Sequence, residues 1–249
     1  MEYNKFVDLS KSYLFCQLKR NELTKTEGYH PGLLPFITIS REAGTGESAI
    51  TGTLLEDLSG KQSANECPWT LYDKDLVNRV VDDYHISNVN GLLPEDKFSD
   101  IQMMFEELFG IHPTKREMAH NLSKSILKLA DMGNVIIVGR GAFYITRHRK
   151  NGLHIRLIGS LQKRVKHMVD EYSLSLKQAE EYIRREDTQR HDYVKKLFGV
   201  DLNDPHFYDL VINTDRVTPQ EIVALISDHT ELLREKLALR YHSEELTAV

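Results

Sequence analysis

The residues with the most chemical content are a glycine turn, Arg41-Glu42-Ala43-Gly44-Thr45-Gly46-Glu47-Ser48, an arginine set between two glycines at Gly139-Arg140-Gly141, and a charged run holding Arg184, Arg185, Asp187 and Arg190. A turn with glycines two apart lets backbone N–H groups converge, and a helix start behind it adds unpaired donors and the positive end of a dipole. Such a turn binds anions. A guanidinium between two glycines has no evident packing role, so Arg140 is expected to contact a ligand. The three-residue spacings of Arg184, Asp187 and Arg190 fit surface ion pairs on a helix as well as cations aimed at an anion.

The elements that must position these groups follow from the apolar pattern. Leu33-Leu34-Pro35-Phe36-Ile37-Thr38-Ile39 reads as a strand emptying into the glycine turn, and Ile50, Leu54, Leu55 and Leu58 recur at helical spacing behind it. Trp69-Thr70-Leu71-Tyr72-Asp73, Asn134 to Val138, Leu153 to Ile158 and Asp209 to Asn213 give four more strands, with helical segments between them. Each strand is apolar throughout rather than alternating, which predicts a parallel sheet covered on both faces, a three-layer α/β domain of about five strands. In such sheets ligands gather at the C-terminal strand ends, so Asp73, Arg140 and the glycine turn are expected to face one crevice. Asp73 also fits as the N-cap of a helix starting at Lys74. Thr218-Pro219-Gln220-Glu221 has the composition of a capped helix start.

A chain of 249 residues, 41% of them hydrophobic, can bury a sizeable core. Its net charge of -5 argues against bulk attraction to nucleic acid or an anionic membrane. Cys16 and Cys67 lie far apart without metal-finger spacing, so neither a disulfide framework nor a zinc site is expected, and a reducing, cytoplasmic setting is the simple reading. His154 and His167 read as ordinary structural or surface residues, with no metal-ligand spacing between them. No run of apolar residues is long enough to span a bilayer. Residues 1–32 read as an added helix and linker, a surface or dimer contact that could make a homo-oligomer; 33–240 as the domain; 241–249 as a tail.

With these pieces in order, the sequence resembles the cytidylate-kinase-like branch of the P-loop nucleoside monophosphate kinases. The resemblance runs from about Phe36 to Ile226 and rests on Ile37 to Ile50, Tyr72-Asp73-Lys74-Asp75-Leu76, Val138-Gly139-Arg140-Gly141, and Arg184 to Gly199. It implies a P-loop NTPase fold with a helical monophosphate-binding insert, about 74–132, and a helical lid, about 172–199. It also implies transfer of the ATP γ-phosphate to a monophosphate of the CMP or dCMP type. The donor phosphates would lie on Arg41, Gly44, Thr45, Gly46, Glu47 and Ser48, with the Ser48 hydroxyl toward Mg²⁺. Asn213 and Thr214 would hold the adenine. Asp73 and Arg140 would bind the acceptor, Arg184, Arg185 and Arg190 would close over the transferring phosphate, and Asp187 would orient an arginine or the acceptor.

Against the pattern G-x-x-x-x-G-K-[ST], only Gly46 and Ser48 match: Arg41 stands at the first glycine and Glu47 at the lysine. Arg41 is the candidate for the missing charge. Loss of that lysine leaves open a non-catalytic module that binds a nucleotide or a partner protein. The looser dinucleotide fingerprint G-x-G-x-x-A also fits Gly44, Gly46 and Ala49, but it wants an acid about 20 residues on, and Asp73 lies beyond that.

Overall fold

The computed structural model describes residues 9–17, 34–62, 66–73 and 115–247. In chain order the elements are helix α1 (residues 9–17), β1 (Phe36–Arg41), α2 (Glu47–Lys61), β2 (Thr70–Tyr72), α3 (Lys115–Met132), β3 (Val135–Val138), α4 (Ala142–Ile145), β4 (Gly152–Ile158), α5 (Leu161–Tyr172), α6 (Leu176–Phe198), a 3₁₀ turn (Pro205–Phe207), β5 (Leu210–Asn213) and α7 (Pro219–Thr247). The five strands form one parallel sheet in the order β2-β3-β1-β4-β5. This is the α/β sheet that the apolar strands predict.

Alternate residues of β1 feed opposite cores, which is what makes three layers. Ile37 and Ile39 pack with Ile50, Leu54, Leu55 and Leu58 of α2 and with Ile222 and Ile226 of α7. Phe36 faces the other way, onto Ile126, Leu129 and Ala130 of α3 and onto Tyr13 and Leu14 of α1. Both neighbours of β1 run parallel to it, with Ile39 opposite Val138 and Arg41 opposite Leu157. The chain crosses from β1 to the β2 edge, returns to β3, and then passes β1 to reach β4. The C-terminal ends of β1 and β3 therefore flank the topological switch point, where such sheets bind ligands. The Thr218 cap forms as expected: Thr218 N donates to Glu221 Oε2 at 2.8 Å, and Glu221 N to Thr218 Oγ1 at 3.3 Å. The bonds that the Thr218 amide and hydroxyl donate to the Glu221 carboxyl hold it below its ordinary pKa.

Helix α1 is built into the domain. Tyr13 and Leu14 are fully buried, the Tyr13 hydroxyl donates to Gly133 O at 2.7 Å, and Ser10 Oγ lies 3.0 Å from Thr70 Oγ1. Its apolar face is thus covered within the protomer. The structure also corrects the reading of the cysteines: Cys16 and Cys67 form a disulfide that ties α1 to the loop before β2. No spacing motif marks the pair, because only the packing of α1 on β2 brings together residues 51 apart in sequence. The cysteine count therefore gives no support to a reducing setting. Most of the expected insert, residues 74–114, lies outside the described residues.

Closing so long a loop restricts the unfolded chain by about 4 kcal/mol in the chain-entropy description, and native bonds of this kind are usually worth 2–4 kcal/mol. Urea unfolding with and without dithiothreitol should show the oxidised chain more stable by about that amount. The Cys16→Ser/Cys67→Ser variant should match the reduced chain and ignore the reductant.

Candidate active site

The turn after β1 is held by a small polar network. Gly44 and Gly46 adopt left-handed φ values of 81° and 74°. A Cβ on Gly44 would stand 2.9 Å from the Arg164 carbonyl oxygen, so the close approach of α5 adds a second demand for glycine. Thr45 Oγ1 donates back to Glu42 O at 2.9 Å and pins the turn. No side chain caps α2 at Gly46, so its first-turn N–H groups are open to an anion.

Asp187 of α6 joins this turn to the rest of the molecule. Its Oδ1 accepts from Ala43 N at 2.7 Å, and its Oδ2 accepts from Arg164 Nη1 at 2.7 Å. Arg164, side chain 10% exposed, also donates to Ala43 O at 3.1 Å and to Gly159 O at 2.9 Å. Glu42 Oε2 accepts from Gly159 N at 2.9 Å and lies 3.5 Å from Arg164 Nε. The strand ends of β1 and β4 and helices α5 and α6 are thereby fixed around one buried guanidinium. The arginine that Asp187 pairs with is Arg164 of α5.

Glu47 does not face the cradle as a lone anion. Arg41 Nε donates to Glu47 Oε2 at 3.0 Å, with both side chains less than one fifth exposed. Arg190 donates to Arg41 O at 3.2 Å, and burial together with the Arg41 charge holds its guanidinium below its ordinary pKa. Arg140 has φ 55° between two left-handed glycines and reaches the Tyr193 hydroxyl. Burial raises that hydroxyl above its ordinary pKa, against the opposing pull of Arg140. Arg41, Arg140 and Arg190 line one cavity of about 260 Å³, shared with Gly139, Gln189 and Tyr193.

Arg184, Arg185, Asn213, Thr214, Asp73 and Ser48 do not line this cavity. Arg184 pairs with Glu180 at 2.6 Å, and Arg185 sits 5.3 Å over the Tyr182 ring, both on the exposed face of α6. The reason is helical phase: the buried residues Ala179, Ile183 and Val194 turn Asp187 and Arg190 inward and leave Arg184 and Arg185 outside. Asn213 and Thr214 form the turn after β5: Asn213 Oδ1 accepts from Asp215 N at 2.9 Å, and Thr214 Oγ1 donates to Ile158 O at 3.1 Å. They stand across β4 from the cavity at β1 and β3. Asp73 is half-buried just past β2, and Ser48 is exposed in the first turn of α2.

Arg164, Glu42 and Tyr193 are missing from the sequence-level site. The signal for Arg164 was a basic residue at a helix position neighbouring the apolar Leu161, Val165 and Met168. Arg156 is a further absentee, 4% exposed in mid-strand, donating to Ser40 Oγ at 2.9 Å and Asn203 Oδ1 at 2.7 Å. Among the described residues, no group of three His, Cys, Asp or Glu side chains could hold a metal. The helix start at Gly46, without a side-chain cap and with the Ser48 hydroxyl exposed in its first turn, has the donor chemistry to hold a phosphate chain.

A family profile described as "Cytidylate kinase-like family" matches residues 36–216. The chain belongs to the cytidylate kinase-like family. It is similar to a cytidylate kinase of Pyrococcus horikoshii, 25% identical over 160 residues, which span 63% of this chain and 82% of that one. A cytidylate kinase of Pyrococcus abyssi is 26% identical over 133 residues, 53% of this chain and 71% of that one. Among solved structures, a protein from Eubacterium ventriosum aligns with a TM-score of 0.58 at 20% identity, covering 79% of this chain and 98% of that one. The sheet, the glycine turn and the helices that pack on it are thus those of a P-loop kinase fold.

Removing the Asp187 carboxylate would leave Arg164 buried without its closest anion. Asp187→Ala should lose about 2–4 kcal/mol of stability, as breaking a largely buried ion pair does. Arg184→Ala should stay within about 0.5 kcal/mol of the parent chain in the same urea titration, because its exposed pair contributes little.

Proposed function

We propose that the chain transfers the γ-phosphate of ATP to a pyrimidine nucleoside monophosphate of the CMP or dCMP type. The observation that carries this reading is the convergence of Arg41, Arg140 and Arg190 on one cavity beside an uncapped helix start. Phosphoryl transfer asks a protein for positioned positive charge more than for a nucleophile, because charge spreads over the moving group's oxygens.

The backbone N–H groups from Gly44 to Ser48 would receive the donor phosphates, and the Ser48 hydroxyl would share the metal. ATP brings Mg²⁺, which neutralises charge on the β- and γ-phosphates. Arg140, braced by Tyr193, would grip the acceptor phosphate with two parallel donors. Arg41 and Arg190 would meet charge between donor and acceptor. Asn213 and Thr214 are proposed to border the ATP base, and Asp73 to contact the acceptor. Arg184 and Arg185 would join the site only if the exposed face of α6 turned inward on closure, as lid helices can. Nucleotides are then the partners, and the cytoplasm, where ATP is held, the proposed place of work.

One observation favours a second reading: the P-loop lysine position is occupied by Glu47, already paired to Arg41. A chain that binds nucleotide without turning it over would have this arrangement.

Purified protein given Mg-ATP with CMP, dCMP, UMP or AMP in turn should form a diphosphate, best with a pyrimidine. Arg140→Ala should cut kcat/KM by on the order of 10²-fold or more, as loss of a group serving transition-state charge does. Thermal stabilisation by nucleotides with no diphosphate formed would establish the binding module instead.

A further inference from the structure

Positive charge also gathers at the opposite end of the sheet, where the site above makes no use of it. Arg147, Arg149 and Lys150 on the turn entering β4 meet Lys236 and Arg240 of α7 around a cavity of about 320 Å³. Asp209 is the one carboxylate in its lining, and Asp209 Oδ2 already accepts from His154 N at 2.7 Å. Arg149 is held by Asp131 at 2.8 Å, and Arg147 stacks 3.9 Å over the Tyr144 ring. Lys150 and Lys236 have no ion pair among the described residues. His154, 8% exposed, also lines the recess, its Nδ1 engaged with Thr38 Oγ1 at 2.8 Å.

Five cations line one recess of a chain whose net charge is -5. A recess lined mostly by one sign of charge focuses its field on whatever enters. An anion of several charges is attracted to such a lining, and a recess of about 320 Å³ admits a compact one. We infer that this cleft is a second anion site, taking the oligophosphate group of a nucleoside di- or triphosphate or a free inorganic oligophosphate. It opens at the first residues of β4, and the phosphate turn lies beyond the last, roughly 20 Å away at the rise of a strand. The two sites can therefore be filled independently.

Isothermal titration of the full chain with inorganic tripolyphosphate, and separately with ATP, tests this. Lys150→Ala/Lys236→Ala, whose side chains are exposed, should keep the parent melting temperature and weaken one binding event at least tenfold. Arg140→Ala should leave that event intact, and raising salt from 0.05 to 0.3 M should weaken it. Tighter binding of ATP than of tripolyphosphate at this site would mark a nucleotide as the ligand, equal binding a free oligophosphate; either supports the site. Equal affinity in the parent and double-lysine chains would overturn it, as would binding no stronger than that of sulfate. So would lysine-dependent binding to phosphatidylglycerol vesicles that tripolyphosphate does not compete away.

Discussion

The Asp187 carboxylate accepts at once from the Ala43 amide in the phosphate turn and from the Arg164 guanidinium beneath it. Everything that forms the candidate site refers to that bridge. Through it α6 lies on the turn, so Arg190 reaches the Arg41 carbonyl and Tyr193 reaches Arg140. Through Arg164 the same bridge is anchored to the β4 end at Gly159, where Glu42 closes the ring. A charged pair this poorly hydrated is retained only with its remaining donors and acceptors satisfied, and here three carbonyl and amide partners do that.

The same economy of charge explains how an acid can stand where the P-loop has a lysine. Arg41 occupies the first-glycine position and reaches across the turn to Glu47, so the pair is close to neutral as seen by an incoming phosphate. Arg41 still presents a guanidinium to the cavity it shares with Arg140 and Arg190. Planar guanidinium groups offer several donors each, so one can hold a carboxylate and still face a second anion. Under the proposed function the cation stands at the strand end, on Arg41, instead of on the helix.

Much of the fold was legible because burial on both faces leaves strands apolar throughout: β1, β3 and β4 stand out in the sequence, and α2 shows its buried face as Ile50, Leu54, Leu55 and Leu58. The glycine turn and Arg140 were legible because few backbones need glycine on both sides of a charge. What escaped depends on contacts between residues distant in sequence. The Cys16–Cys67 bond exists only because α1 packs on β2, and Arg164 matters only because Asp187 comes over it. Arg184 and Arg185 could not be told from Asp187 and Arg190 by charge spacing, since the phase of α6 is set by Ala179, Ile183 and Val194.

In the proposed reaction Arg41 serves the donor phosphates in place of the absent lysine, with Glu47 as its counter-charge. Mg-ATP affinity measured by titration calorimetry on Arg41→Ala and Glu47→Gln tests it most directly. Arg41→Ala should weaken binding at least tenfold, and Glu47→Gln should bind as well as the parent chain or better. Undiminished binding by Arg41→Ala would contradict it.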